Sequence, residues 1–254
     1  MMIKYLNRIF VHFLGYGLYF FKMDDTGYAA LNILRKITFL ESKAVSKPIP
    51  LEKQVFFVFA NRMIIDAESA RLLAHKGYYG AGYCITAIML RNIAMYASLL
   101  ADKARINDFW NEEKNTYQDD PSFVSSFKES AIRNLAKRKF GEDAFNSSEL
   151  EKLLHGSCYA IRKYYSKKGI NSEGKSEPVL TLGKFKERSK EAGIKSIAGA
   201  ITLDFLGLFF TEYKESGQTN YDDWYTHYLK IIKLVQIETI RLEKQYEKIS
   251  RKIQ

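Results

Sequence analysis

Between Ala81 and Ala101 the chain reads AGYCITAIMLRNIAMYASLLA, and Arg91 is its one formally charged side chain. A helix that is apolar all round has no face to give to water, so it belongs inside a bundle. The spacing therefore predicts a buried helix around which the rest of the chain is organised. Arg91 is expected to be a polar intrusion in that dry centre. A buried guanidinium is very costly unless it is paired or reaches water. Asp66 and Glu68, in the preceding segment, are the expected partners. A site for phosphate or carboxylate is the alternative.

The remaining periodicity is also helical. Met2, Leu6, Ile9, Phe13, Tyr16 and Phe20 step by threes and fours, predicting a helix over 1–22. Its uncharged run Ile9 to Phe21 is shorter than the roughly 17–25 residues of a spanning helix. It fits a core or partner-docking helix, with an interfacial membrane helix as the alternative. A signal-peptide core is disfavoured, because no small-x-small cleavage site follows. Asp24-Asp25-Thr26 is expected to cap a second helix over Tyr28 to Glu41, ahead of a linker marked by Pro48 and Pro50. A third helix is expected from Leu51 to Lys76, closed by Gly77. A short amphipathic piece follows around Ile106, Phe109 and Trp110.

Farther on, helices are expected over 122–140 and 149–168, a mobile loop over 169–183, a short basic helix over 182–193, and an apolar one from Ile194 to Glu215. The last helix starts at Asp222 or Asp223. Its seam, Tyr225, Tyr228, Ile232, Val235, Thr239, Leu242, Tyr246, Ile249 and Ile253, alternates steps of three and four. Such a seam packs along a bundle or forms a coiled coil with a second copy or a partner protein, through residues 221–254. No stretch keeps a period of two long enough to force a sheet. The fold class is all-α: a multi-helix bundle with its core in 1–168 and C-terminal helices in 184–254 packing on or extending it.

A formal charge of +10 is concentrated in residues 121–200, where 16 basic side chains meet 9 acidic ones. Arg133, Lys137, Arg138 and Lys139 cluster at the end of one expected helix and are the candidate nucleic-acid-binding residues. Cys84 and Cys158 have neither CxxC nor Cys/His spacing, so neither a disulfide framework nor a metal site is implied, and a reducing cytoplasm is expected. Glu151 and His155 lack a second ligand pair. GYYGAG lacks the Lys-Ser/Thr tail of a phosphate loop. No metal and no cofactor are expected.

Leu90-Arg91 and His155-Gly156-Ser157, in the segment from about Leu51 to Ser166, resemble motifs of an uncharacterised bacterial all-helical family related to HEPN domains. In that family a small-residue turn precedes a helix bearing Leu-Arg-x-x-x-Glu, and a later helix carries a His near Ser or Gly. Met95 stands here in place of the acidic residue. The resemblance implies a HEPN-like core and, since many HEPN domains are metal-independent ribonucleases, an RNA-directed role. Their Arg, four-to-six residues, His signature is missing: Arg71 and His75 are too close, as are Arg8 and His12.

His155 and Arg162 lie almost two helical turns apart, with Tyr159 between them on the same face. They are the candidate catalytic residues, His155 to move protons and Arg162 to neutralise a phosphate. A structural histidine beside a surface arginine is the competing reading. The expected function is an RNA-associated protein, of a phage-defence or toxin type, either a metal-independent ribonuclease or a non-catalytic RNA binder. The alternative is a non-catalytic assembly protein whose terminal helices dock onto a partner protein or a membrane surface, the latter through residues 1–22.

Overall fold

The computed structural model describes residues 21–44, 49–110, 166–180, 184–215 and 219–253, with the single positions 130, 132, 134, 135 and 217. The fold is all-α, as the periodicity predicts. Its helices are α1 (Phe21–Ala44), α2 (Leu51–Lys76), α3 (Tyr79–Ala101), α4 (Arg105–Trp110), α5 (Arg188–Glu215) and α6 (Asp222–Ile253). One antiparallel hairpin, β1 (Ser166–Ile170) with β2 (Ser176–Leu180), completes the described elements.

The bundle is built round α5, which packs against α1, α2, α3 and α6. Gly199 of α5 meets Gly27 of α1, and farther along both helices Glu41 and Tyr213 line one cavity, so α1 runs with α5. On α3, Tyr83 meets Gly193 and Tyr96 lies 4.9 Å from Phe205, so α3 also runs with it. The other two neighbours run against it. Phe56 of α2 is 5.0 Å from Phe209, while the Ala70 end of α2 faces Ile194 across Gly82. In the turn just before α6, the Tyr221 backbone N–H donates to the Tyr213 hydroxyl at 2.6 Å, and on α6 Tyr228 reaches back to Gly207.

This arrangement corrects the expected centre. The stretch 81–101 is one wall of the core, with a partly exposed strip through Ala81, Cys84, Ile85, Ile88, Arg91 and Met95. The helix buried on nearly every side is α5, between Ala192 and Phe210. Arg91 itself is exposed, because it lies on that outer strip. The two expected partners are engaged elsewhere. Arg62 donates to buried Asp66 at 2.8 Å, with Asn92 on the same oxygen at 3.3 Å, and Arg35 pairs with Glu68.

Three boundaries also differ. Helix α1 runs straight through Asp24-Asp25-Thr26, the expected cap. A cap is worth about 1 kcal/mol, less than seating the continued helix on α5 at Gly27. The separate helices expected over 182–193 and from Ile194 are one, α5.

Within the expected loop over 169–183, residues 169–170 and 176–180 are strand, 171–175 form the turn between them and 181–183 lie outside the described residues, while Ser166–Lys168, expected at a helix end, belong to β1. The Asn171 side-chain oxygen accepts from the N–H groups of Glu173 and Lys175 at 3.0 and 2.9 Å, which pins the five-residue turn. Pro178 is tolerated because both strands of a two-stranded sheet are edges.

Helix α2 has the boundaries its punctuation predicts, with Pro50 before it and Gly77 after it. Gly77 adopts φ +89° and its N–H and that of Tyr78 close the last carbonyls, on Ala74 and Leu73 at 3.0 and 2.8 Å. The turn is clasped by the segment leading into α5. The Phe185 N–H donates to the Gly77 carbonyl at 3.2 Å, and the Phe185 ring meets Tyr79 edge-on at 4.9 Å. The Glu187 N–H donates to the Tyr79 hydroxyl at 2.7 Å. A Cβ at Gly77 would strike the Phe185 carbonyl oxygen. Gly77→Ala is therefore expected to lower unfolding stability by about 2 kcal/mol, strain and clash together, measured by urea denaturation. An unchanged midpoint would show that the clasp contributes nothing.

Candidate functional site

At the end of the bundle where α1, α2 and α5 come level, a cavity of about 230 Å³ opens between them, α3 and the start of α4. Its walls are aromatic: Phe56, Tyr96, Phe209 and Tyr213 all line it. They sit there because each is on the α2, α3 or α5 face that the bundle turns inward. Carboxylates stand among the rings. Lys53 pairs with Glu41 at 2.9 Å, and Lys103 pairs with Glu212 at 3.1 Å.

The two partners of each pair are unequally placed. The side chains of Glu41 and Glu212 are 9% and 19% exposed, while those of Lys53 and Lys103 are 42% and 60% exposed. The carboxylates are fixed in the wall and the ammonium groups approach from solvent. Glu41 also accepts from the Tyr221 hydroxyl, whose pKa is raised first by burial and then by that carboxylate. Burial, followed by the field of Glu212, likewise raises the Tyr96 phenol.

The second polar feature lies in the middle of α5. Asp204 is buried, and its Oδ1 has no hydrogen-bond partner among the described residues. Burial pushes its pKa up to about 8. The Tyr228 ring lies close by, its hydroxyl seated over Gly207, and burial followed by the Asp204 charge raises that phenol too. The helix tolerates the cost. Ile194, Ile201, Phe205, Leu206, Leu208 and Phe210 of α5 are fully buried, at about 2 kcal/mol each. Together they outweigh the penalty of one acid.

Other clusters are cationic or paired. The guanidinium carbons of Arg71 and Arg35 stand 5.4 and 6.0 Å from the Tyr28 ring centre. His75 Nδ1 is 3.3 Å from a Glu191 oxygen that Lys195 also contacts at 2.9 Å. Burial alone would raise the Glu191 carboxyl, but Lys195 and then His75 hold it below its usual value. No group of three or more His, Cys, Asp or Glu side chains fit to hold a metal occurs among the described residues.

The surface of α6 is the third feature. Its seam residues Tyr228, Ile232 and Val235 are buried against the bundle. The outward face carries Leu234, Ile237 and Ile240, at 54%, 52% and 45% exposure. Exposed Lys230, Lys233, Arg241 and Lys244 stand among them.

The candidate catalytic residues His155, Tyr159 and Arg162 lie outside the described residues, as do Arg133, Lys137, Arg138, Lys139 and the helix expected over 1–20. Neither the cavity nor Asp204 is among the sites the sequence singles out. A lone acid inside the apolar run from Ile194 to Phe210 was the available signal for Asp204. The cavity had none, because its carboxylates and rings come from segments far apart in the chain. No family model, curated protein or solved structure matches the chain.

Proposed function

We propose that the protein is a non-catalytic docking protein that binds an anionic membrane surface through the outward face of α6. The carrying observation is the mixture on that face of three exposed aliphatics with exposed Lys230, Lys233 and Lys244, beside an Arg241 that pairs with Glu238 at 2.8 Å. Aliphatic side chains enter the acyl boundary while lysines and arginines reach back to the headgroups. A second copy of the same helix fits poorly there, because Lys230, Ile237 and Lys244 repeat every seven residues and would set lysine against lysine. Helices α3 and α5 are long and apolar enough to cross a bilayer by length and composition alone. For α5 the core accounts for this, since most of its apolar stretch is buried within the bundle.

Sedimentation with vesicles containing phosphatidylserine tests the proposal. Lys230→Gln with Lys233→Gln removes about 1 kcal/mol per charge, so binding is expected to fall roughly thirtyfold. Ile237→Glu should abolish it without unfolding an exposed position. Equal binding to uncharged phosphatidylcholine vesicles, or no effect of Ile237→Glu, would overturn the reading.

Exposed Lys184, Lys186 and Arg188, at the edge of the basic quarter, favour a second reading, in which the partner is RNA. The HEPN resemblance and the roles of His155, Tyr159 and Arg162 belong to it. A labelled single-stranded RNA in the same assay decides between the two. RNA affinity that survives Ile237→Glu and is lost on neutralising Arg133, Lys137, Arg138 and Lys139 would favour RNA.

A further inference from the structure

From the cavity between α1, α2, α3, α4 and α5 we infer a binding site for a small organic monocation, an apolar amine carrying one ring and a short chain. The inference is independent of how α6 is used. Size comes first. A dry apolar cavity of about 150 Å³ accommodates a benzene molecule, so about 230 Å³ has room for a ring with a few further atoms. Charge comes second. Three carboxylates, on Glu41, Glu52 and Glu212, line the cavity against two ammonium groups, on Lys53 and Lys103. The lining therefore carries one net negative charge, which selects a cation over an anion.

Geometry gives the ligand its place. The rings of Phe209 and Tyr213 lie nearly parallel, 11° apart at 6.2 Å, and Phe56 leans on Phe209 at 5.0 Å. Aromatic faces attract cations and pack against a ligand ring. Glu212 stands beside them, and Lys103, more than half exposed, is the group that an incoming ammonium displaces. The exchange trades one ion pair for another, with the ligand's apolar body removed from water as the gain.

The test is calorimetric titration of the full chain with 2-phenylethylammonium, with phenylacetate as the matched anion. Saturable binding of the amine is expected, with phenylacetate at least about tenfold weaker. Glu212→Gln should weaken the amine about tenfold. Lys103→Gln should strengthen it severalfold, because Glu212 loses its competing partner. Opposite signs for these two variants are the signature of an ammonium seated on Glu212. Lys103 is on the surface, so this variant remains informative if Glu212→Gln fails to fold. Absence of saturable binding, equal binding of phenylacetate, or an affinity that Lys103→Gln leaves unchanged or lowers would each overturn the inference.

Discussion

Asp204→Asn is expected to stabilise the protein progressively as pH rises, by about 3 kcal/mol relative to the parent between pH 5 and pH 7. The unfolded carboxyl titrates near 4, whereas in the fold burial holds it up to about 8. Between those values the folded chain keeps a proton that the unfolded chain has released. The folded state binds more protons, so the parent loses stability with each pH unit up to about 8, after which the loss is complete. One unit corresponds to about 1.4 kcal/mol. The amide has no such dependence, and the two curves should diverge over that window. Thermal melts at several pH values read the difference, roughly 10 °C at neutral pH for a chain of this size. Parallel pH profiles would show that Asp204 is solvated or paired in solution.

The second large effect is expected at the crossing of α1 and α5. A Cβ built on Gly199 falls 2.5 Å from the Gly27 Cα, and one on Gly27 falls 2.8 Å from the Gly199 Cα. Both obstacles are backbone, so no side chain can swing aside. Ordinary carbon contacts need about 3.5–4.0 Å, and the helices must separate by roughly an ångström. Alanine gains about 1 kcal/mol over glycine in a helix interior, which pulls the other way. The clash wins, because separation loosens the packing along the whole contact. Gly199→Ala should cost about 2–3 kcal/mol and Gly199→Val more. Combining Gly27→Ala with Gly199→Ala should cost less than the sum, since the first substitution already parts the helices. Strict additivity in chemical denaturation would mean that the two glycines do not touch.

Much of the helical scheme is legible in the chain because its punctuation is local. Pro50 and Gly77 bracket α2, and Asp222 opens α6 after the turn at Gly217. Orientation is harder to read. Helix α3 is apolar on its inner and outer sides alike, so its periodicity does not say which side faces water. Arg91 marked the outer side, and a lone charge in an apolar run is far more often outside than in. Asp204 presents the same signal and has the opposite outcome. Neighbouring residues do not separate the two cases; only the number of helices packed around each segment does.

Long-range contacts hide the rest. Nothing near Gly27 predicts Gly199, and the cavity exists only once five helices have met. The hairpin is hidden for another reason: Asn171 and Gly174 mark a turn, but the flanking strands lack an alternating apolar face, so propensity favours only a loop.

The position of α5 in the chain bears on biosynthesis. The segment that fills the middle leaves the ribosome only after its partners α1, α2 and α3, which can pack on one another but whose faces toward α5 until then stay open. Synthesis of this protein thus passes through a long interval in which sticky surface accumulates, and truncation before Arg188 would leave a product that chaperones or proteases must handle.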